Sequence, residues 1–389
     1  MTETPAFLAE PALAALLDLL PEARVVGGAV RDTLVGHALV DVDLASPLAP
    51  ETVMHRLAAA GVKVIATGLS HGTVTAVLPK RSIEITTLRR DVETDGRHAV
   101  VAFTDDWRED AARRDFTINA MSMTRDGTVY DYFGGKDDLR AGRVRFVGDP
   151  ARRVAEDYLR VLRFFRFHAR YGAVAPDAAS EVALRAAVPY LAKLSVERVW
   201  SELYRILSAA NPLASISLMH QFGVLDAIII EGTDVDALSR LIARGAPADA
   251  LLRLAALLTG DVLAFASRMK LSTAQRDRLL ALRDAPLARP DDDAAALRRL
   301  LADTPADVLV DRTWLSGGDE PAWDALRRRL DAMPAPVFPL EGRDLIALGA
   351  REGPRVGEII RAVRNWWLLG GCVANANACR QEAASLLRQ

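Results

Sequence analysis

Strand-forming patterns are confined to the first part of this 389-residue chain, and that asymmetry restricts its architecture more than any other feature. GTVTAVL (Gly72–Leu78) and SIEITTL (Ser82–Leu88) are rich in Val, Ile and Thr and alternate in character, with Pro79-Lys80-Arg81 between them. Short alternating runs separated by turn residues predict a hairpin. DVDLA (Asp41–Ala45) reads as a further short strand. PETVMHRLAAAG (Pro50–Gly61), with proline near its start and glycine at its close, reads as a helix. Beyond about Val144 the strand signals vanish. Segments such as DALSRLIARGAPADALLRLAALL (Asp236–Leu258) place apolar residues at three- and four-residue intervals, which is helical patterning. Pro286 and Pro290 punctuate this region, and MPAPVFP (Met333–Pro339) reads as a hinge before a last helical segment. The expected fold class is α+β: a head with a small mixed sheet, followed by an all-helical remainder.

A chain of this length predicts more than one domain, and a hydrophobic content of 50% supplies a sizeable core. No apolar run approaches the ~18 residues a membrane span needs, so no membrane association is expected. The first twenty residues carry acids and no Lys or Arg, which argues against a secretory leader. Cys372 and Cys379 are too few for a disulfide framework and fit idle thiols in a reducing cytoplasm. Net charge is only −2, so composition alone does not predict nucleic-acid binding; nine arginines between Arg140 and Arg170 nevertheless form a local basic block. Such a block reads as readily as a solvated face. The three aspartates of PDDDAAALRRLL (Pro290–Leu301) precede an apolar-periodic run, where acids cap a helix rather than bind metal.

The stretch VVGGAVRDTLVGHALVDVDLAS (Val25–Ser46) sets two glycines, an arginine and two aspartates in an apolar strip. In a strand, alternate residues share a face about 6.6 Å apart, so Asp41 and Asp43 are expected to point one way and Val42 and Leu44 into the core. Taken alone, an Asp-x-Asp is as readily incidental surface charge. Gly27 and Gly28, however, follow an apolar pair and open a helical run. Glycines at a strand-to-helix turn let the backbone approach a ligand, and free N–H groups at a helix start favour phosphate. Arg31 is placed to reach a triphosphate tail. A phosphate cradle beside paired acids points to metal-dependent phosphoryl transfer with two Mg²⁺ ions. Glu84, on the opposite strand face from Ile83 and Ile85, is the candidate for a third metal-facing carboxylate; otherwise it is an exposed strand glutamate.

GGAVRDTLVG followed by DVDLA resembles the first motif of class II tRNA nucleotidyltransferases and bacterial poly(A) polymerases, within the polymerase-β-like superfamily. Further motifs resemble that family's in order: RRDFTINAM (Arg113–Met121), DYFGGKDDL (Asp131–Leu139), EDYLRVLRFFRF (Glu156–Phe167), LSVERVWSEL (Leu194–Leu203) and the tail segment FPLEGRDLIALGAREGPRVGEIIRAV (Phe338–Val363). The resemblance implies a catalytic head (1–143), a helical neck carrying a nucleobase-template helix (144–208), a helical body (209–335) and a tRNA-binding tail (336–389). It implies CTP, ATP and the acceptor end of tRNA as substrates, with no obligate protein partner evident. It places Gly27, Gly28, Arg31 and Arg114 around the nucleotide, Asp41 and Asp43 on the metals, and Asp115 and Asn119 near the ribose or its loop. Asp115 reads equally as a helix cap before FTINAM.

The fourth motif can also be argued from its residues. On a helix Asp157, Arg160 and Arg163 lie near one face, which Arg166 continues; intrahelical ion pairs would explain the same spacing. Cytosine and adenine share an amino donor beside a ring-nitrogen acceptor. A carboxylate accepts from the first, and a guanidinium donates to the second. Uracil and guanine reverse both groups, and each desolvated mismatch costs on the order of 1–3 kcal/mol. One Asp/Arg pair can therefore accept C and A and reject U and G, as template-free addition of CCA requires. The nearest rivals are a poly(A) polymerase, an A-adding specialist and, from a different class, a non-catalytic RNA-binding scaffold. ATGLSHGTVTAV (Ala66–Val77) looks like the CCA-adding type, with His71 a turn histidine. RRDVETDGRHAVVAFTDDWREDA (Arg89–Ala111) keeps the loop that CC-adding enzymes lack in part, and both aspartates of DVDLA are retained, which disfavours a dead scaffold. No His-Asp dipeptide occurs, so no appended phosphohydrolase is expected.

Overall fold

The computed structural model describes residues 4–39, 41–79, 81–94, 99–318 and 320–388, and side chains outside 91–101. Two compact units make up the chain, Met1–Ile230 and Glu231–Gln389. No helix among the described residues is long and apolar enough to cross a membrane.

Among the described residues of the first unit are nine strands: β1 (Arg24–Val26), β2 (Asp43–Ser46), β3 (Lys63–Gly68), β4 (Thr73–Val77), β5 (Ser82–Thr87), β6 (Arg89–Thr94), β7 (Ala99–Phe103), β8 (Met121–Met123) and β9 (Val129–Asp131). Seven form one sheet in the order β3-β4-β5-β2-β1-β8-β9. The β2–β5 pair is parallel and its neighbours are antiparallel, so the sheet is mixed. The expected hairpin is β4–β5, with Thr75 opposite Glu84. Strands β6 and β7 form a separate ribbon; residues 95–98 between them, part of the Arg89–Ala111 loop segment, lie outside the described residues.

Helices α1 (Pro11–Leu19), α2 (Gly28–Leu34), α3 (Pro50–Ala59) and α4 (Trp107–Ala112) intersperse the strands. The helix expected at Pro50–Gly61 is α3, which packs on β3 and β4. After β9 only helices follow in this unit: α5 (Gly135–Arg140), α6 (Pro150–Glu156), α7 (Leu159–Tyr171), α8 (Ala178–Ala187), α9 (Val196–Leu207), α10 (Leu213–Gln221) and α11 (Val224–Ile228). An aromatic cluster fixes α7 against the sheet-bearing part. Phe116 lies 4.8 Å from Phe146 and 5.3 Å from Phe167, and Phe146 stacks on Phe164 at 5.8 Å. Each such pair adds about 0.5–1.5 kcal/mol beyond the area it buries. With one face of α7 locked in this way, its arginines are left on the other.

The second unit is helical: α12 (Val235–Ala243), α13 (Ala250–Leu257), α14 (Val262–Arg268), α15 (Thr273–Asp284), α16 (Ala294–Leu301), α17 (Ala306–Ser316), α18 (Pro321–Ala332), α19 (Gly342–Ala347), α20 (Pro354–Leu369) and α21 (Ala376–Leu387). Asp293 caps α16 by accepting from the Ala296 N–H at 2.7 Å, the role read for the aspartate run. Met333–Pro339 carries no regular structure. Leu297, Leu301, Leu309, Leu326 and Leu330 form one core; Leu345, Ile359, Val363, Trp367 and the two unpaired cysteines form another.

Candidate active site

The opening acids are arranged differently from the single strand expected. Strand β2 begins at Asp43, and Asp41 precedes it outside the sheet. The alternation survives nonetheless: Asp41 and Asp43 are exposed, whereas Val42 and Leu44 are buried. The reason is that β1 is only three residues long and its last residue, Val26, pairs with Asp43, so no partner remains for Asp41. Parallel pairing sets Leu44 against Ile85, which brings Asp43 and Glu84 to neighbouring positions on one face. Ile83 and Ile85 point into the core, as their alternation with Glu84 demands.

Asp43 keeps contact with solvent, but the protein packed around it partly desolvates the carboxyl and raises its pKa; the charges of Glu84 and Asp41 raise it further, and Arg114 offsets part of this. None of these three carboxylates makes an ion pair among the described residues. Oxygen donors carrying unmatched negative charge suit a hard divalent cation. Asp43 and Glu84 fit that description and line one cavity; Asp41 is not in its lining. Among the described residues no three acids, histidines or cysteines are already gathered as a metal cluster.

Gly27 makes the turn between β1 and α2 with φ +67°, and a Cβ there would meet Arg114 Nη1 at 3.1 Å. Helix α2 then carries Arg31 inward, where it is buried. Its Nε donates to Asp32 Oδ1 at 3.0 Å, its Nη1 donates to Asn119 Oδ1, and its guanidinium lies 4.4 Å over the Tyr171 ring. The Tyr171 hydroxyl donates to Asp32, and burial together with that hydrogen bond pushes the phenol up to about 12. Asn119 Nδ2 donates in turn to Asp115 Oδ1 at 3.0 Å, and Asp115 Oδ2 accepts from Arg163 Nε at 2.7 Å. Burial alone would raise the Asp115 pKa, but the Arg163 charge and three hydrogen bonds outweigh it and hold the carboxyl low. The helix-cap role open to Asp115 takes a different form. The following 3₁₀ turn is Thr117–Asn119, and Asp115 accepts from the Phe116 N–H at 2.9 Å.

A second difference concerns the template residues. Asp157 is not on the helix with the arginines but in extended backbone between α6 and α7. Its Oδ1 accepts from the Leu159 N–H at 3.0 Å, and its carbonyl accepts from the Arg160 N–H at 2.9 Å, so a helix restarts there. Arg160, Arg163 and Arg166 do share one face of α7 and line the cavity with Asp157. Arg160 pairs with Glu156 rather than Asp157 and donates to the Arg153 carbonyl at 2.7 Å. Arg166 pairs with Glu202 at 2.6 Å. The partner of Asp157 is Arg198 of α9, at 2.6 Å. Arg198, Arg113 and Asp110 all line the cavity and were not singled out from the sequence. Arg113 and Asp110 sit within or just before the second motif, and Arg198 within the fifth, so the motifs marked the neighbourhood but not the side chains.

The resulting cavity, of about 620 Å³, gathers Gly27, Gly28, Arg31, Asp43, Glu84, Arg114, Asp115, Asn119, Asp157, Arg160, Arg163 and Arg166. Of the expected site residues only Asp41 is missing from its walls. Asp110 binds Arg113 and Arg114, Asp115 binds Arg163, and Asp157 binds Arg198. Among the described residues, Asp43 and Glu84 are the acids of this cavity that make no ion pair. The same cavity is rich in guanidinium groups.

Residues 23–145 match the family described as "Poly A polymerase head domain", and residues 175–234 match "Probable RNA and SrmB- binding site of polymerase A". The chain is 37% identical over 367 residues to the protein named "CCA tRNA nucleotidyltransferase 1, mitochondrial" of Danio rerio, covering 89% of this chain and 83% of that one. It is 33% identical over 366 residues to the CCA-adding enzyme of Geobacillus kaustophilus, covering 88% and 87%. The crystal structure of the Bacillus stearothermophilus CCA-adding enzyme in complex with CTP superposes with a TM-score of 0.75 at 27% identity, over 97% of this chain and 98% of that one. A matching head, relatives aligned along most of their length and a shared fold leave one assignment: the chain belongs to the CCA-adding tRNA nucleotidyltransferase family.

Proposed function

We propose that this protein adds C, C and A to the 3′ end of tRNA from CTP and ATP, releasing pyrophosphate at each step. The observation that carries this reading is the cavity that Asp43 and Glu84, which make no ion pair among the described residues, line together with Asp157 and the arginines of α7. A nucleotide has the complementary polarity: a polyanionic tail and a base with a directional hydrogen-bonding edge. Arg31 and Arg114, next to the Gly27 turn, are positioned for the triphosphate. Asp157 retains lone pairs beyond those used by Leu159 and Arg198, and with them accepts the amino group that C and A share. Arg160 or Arg163 donates to the adjacent ring nitrogen. U and G present the opposite pattern and leave two groups unpaired, at about 1–3 kcal/mol each.

Nucleotidyltransferases of this family depend in general on divalent metal. In this chain Asp43, Glu84 and Asp41 would hold Mg²⁺, and two such ions, when bound, acidify the attacking hydroxyl and neutralise the departing pyrophosphate. The tRNA 3′-oxygen forms the new bond to the α-phosphorus as the bond to pyrophosphate breaks in line. The head (1–143) carries this chemistry. The neck (144–208), body (209–335) and tail (336–389) hold the acceptor region of tRNA through its backbone, with binding that weakens as salt rises. The buried free thiols suit the reducing cytoplasm.

The test is a product sequence. Purified protein is incubated with end-truncated tRNA and all four nucleotides, and the new 3′ ends are sequenced. Ends reading CCA are expected. A long A-tract would replace this reading with poly(A) synthesis, A alone with an A-adding specialist, and no incorporation with a non-catalytic RNA binder.

A further inference from the structure

A second basic cavity lies wholly within the helical unit 231–389, in a stretch, residues 237–316, where no motif falls. It has a volume of about 230 Å³ and is lined by Arg240, Arg244, Arg283 and Arg312, with no carboxylate among the described residues of its lining. Its remaining walls include Ala237, Ala255 and Ala256, whose small side chains leave the hollow open. At the ~30 Å³ each water occupies in the liquid, the space admits a phosphate group and a few waters.

Helix capping explains part of this arrangement. Arg283 donates to the carbonyls of Leu258, Thr259 and Gly260 at the end of α13, Arg312 to Leu282 near the end of α15, and Arg244 to Trp314 and Leu315 near the end of α17. Each helix C-terminus carries roughly half a negative charge, Asp234 pairs with the exposed Arg240 at 3.6 Å, and Asp284 draws on Arg312, so part of the guanidinium charge is balanced. Arg312 has a buried Nε–H with no hydrogen-bond partner among the described residues, an arrangement that costs stability until an acceptor arrives. Burial disfavours its ionised form most; Asp284 favours that form, and the like charge of Arg283 opposes it less strongly. Capping needs cations near the carbonyls; it does not need four arginines gathered around one hollow.

We propose that this cavity is an oxyanion site that takes one phosphate group, supplied either by the RNA backbone or by free phosphate. The RNA-backbone source rests on the RNA-substrate reading above; the free-phosphate source does not.

The test compares the full-length protein with Arg312→Gln, which removes charge, and with Ala237→Leu, which fills the hollow and keeps all four arginines. End-truncated tRNA affinity is measured across a salt series, and Tm is measured in inorganic phosphate against chloride at equal ionic strength. If the backbone is the source, both variants bind tRNA about three- to tenfold more weakly at low salt. Their log–log salt slope is then shallower by roughly one phosphate contact, while CCA addition at saturating tRNA is unchanged. If free phosphate is the source, tRNA binding is unchanged and part of the phosphate-induced rise in Tm is lost in both variants. Should Ala237→Leu match the wild-type protein in both measurements, the cavity is not an anion site and its arginines are helix caps alone. Loss of CCA addition in the wild-type protein itself would count against the functional reading and leave the phosphate measurement standing.

Discussion

Arg163 and Asp115, 48 residues apart, are joined through Nε and Nη2 to a single carboxylate oxygen, Oδ2. The other Asp115 oxygen accepts from Asn119, whose own side-chain oxygen accepts from Arg31. One hydrogen-bonded chain thus runs from the arginine wall of α7 to the buried arginine of α2. The proposed base-reading and phosphate-binding ends of the site are held in register by it.

Removing the charge at the centre of that chain should loosen both ends. Asp115→Asn is expected to lose about 2 kcal/mol, below the usual cost of breaking a fully buried ion pair because the Arg163 side chain is a third exposed. The folded-state pKa of Asp115 is depressed. Its contribution is therefore complete above the ordinary carboxylate value of about 3.9 and is lost as pH falls through the lower folded value. Urea unfolding at about pH 7 should separate the two proteins, and the gap should narrow as pH falls below about 3.9. A gap independent of pH would show that the Asp115 carboxylate is not the source.

Asp43 behaves in the opposite sense. Its ionisation is opposed by partial desolvation, Glu84 and Asp41, so Asp43→Asn relieves repulsion. Thermal stability should hold or rise by a few degrees. Nucleotide addition should fall by about 10³, the scale of several kcal/mol of metal-assisted stabilisation. Activity within tenfold of wild type would remove Asp43 from the proposed metal site.

Base choice and catalysis should separate at Asp157. For Asp157→Ala, the preference for CTP over UTP in kcat/KM is expected to shrink by about 10- to 100-fold, with incorporation of both partly retained. Arg198→Met, which frees the carboxylate without deleting it, should fall between the two. Undiminished selectivity in Asp157→Ala would place the template elsewhere.

Gly27→Ala tests the turn. An L-residue at φ +67° costs about 1–2 kcal/mol, and the new methyl would press on Arg114. KM for CTP and ATP should rise together by about tenfold, a change of ~1.4 kcal/mol, with the C-to-A ratio unchanged because the strain lies away from Asp157. A change in that ratio would mean that the turn also shapes base recognition.

Local pattern alone carried the β4–β5 hairpin, the outward set of Glu84 between Ile83 and Ile85, the α3 helix, the Asp293 cap and the end of strand structure before the helical remainder. Each depends on neighbours within a few residues, through side-chain alternation, helical period or backbone capping. Ordered motifs also marked nearly every wall of the candidate-site cavity. What remained for the tertiary structure was which charge meets which. Helical spacing suggests Asp157 beside Arg160, but Asp157 turns back onto the Leu159 N–H, breaks the helix and meets Arg198, 41 residues away. Strand periodicity suggests Asp41 within β2, but the brevity of β1 leaves it unpaired. Ion pairs between distant segments leave no period in a sequence, because they are chosen only when packing, here the phenylalanines under α7, brings two segments together. The same reason hid the four-arginine cavity of the second unit, whose arginines come from α12 and its C-cap, α15 and α17.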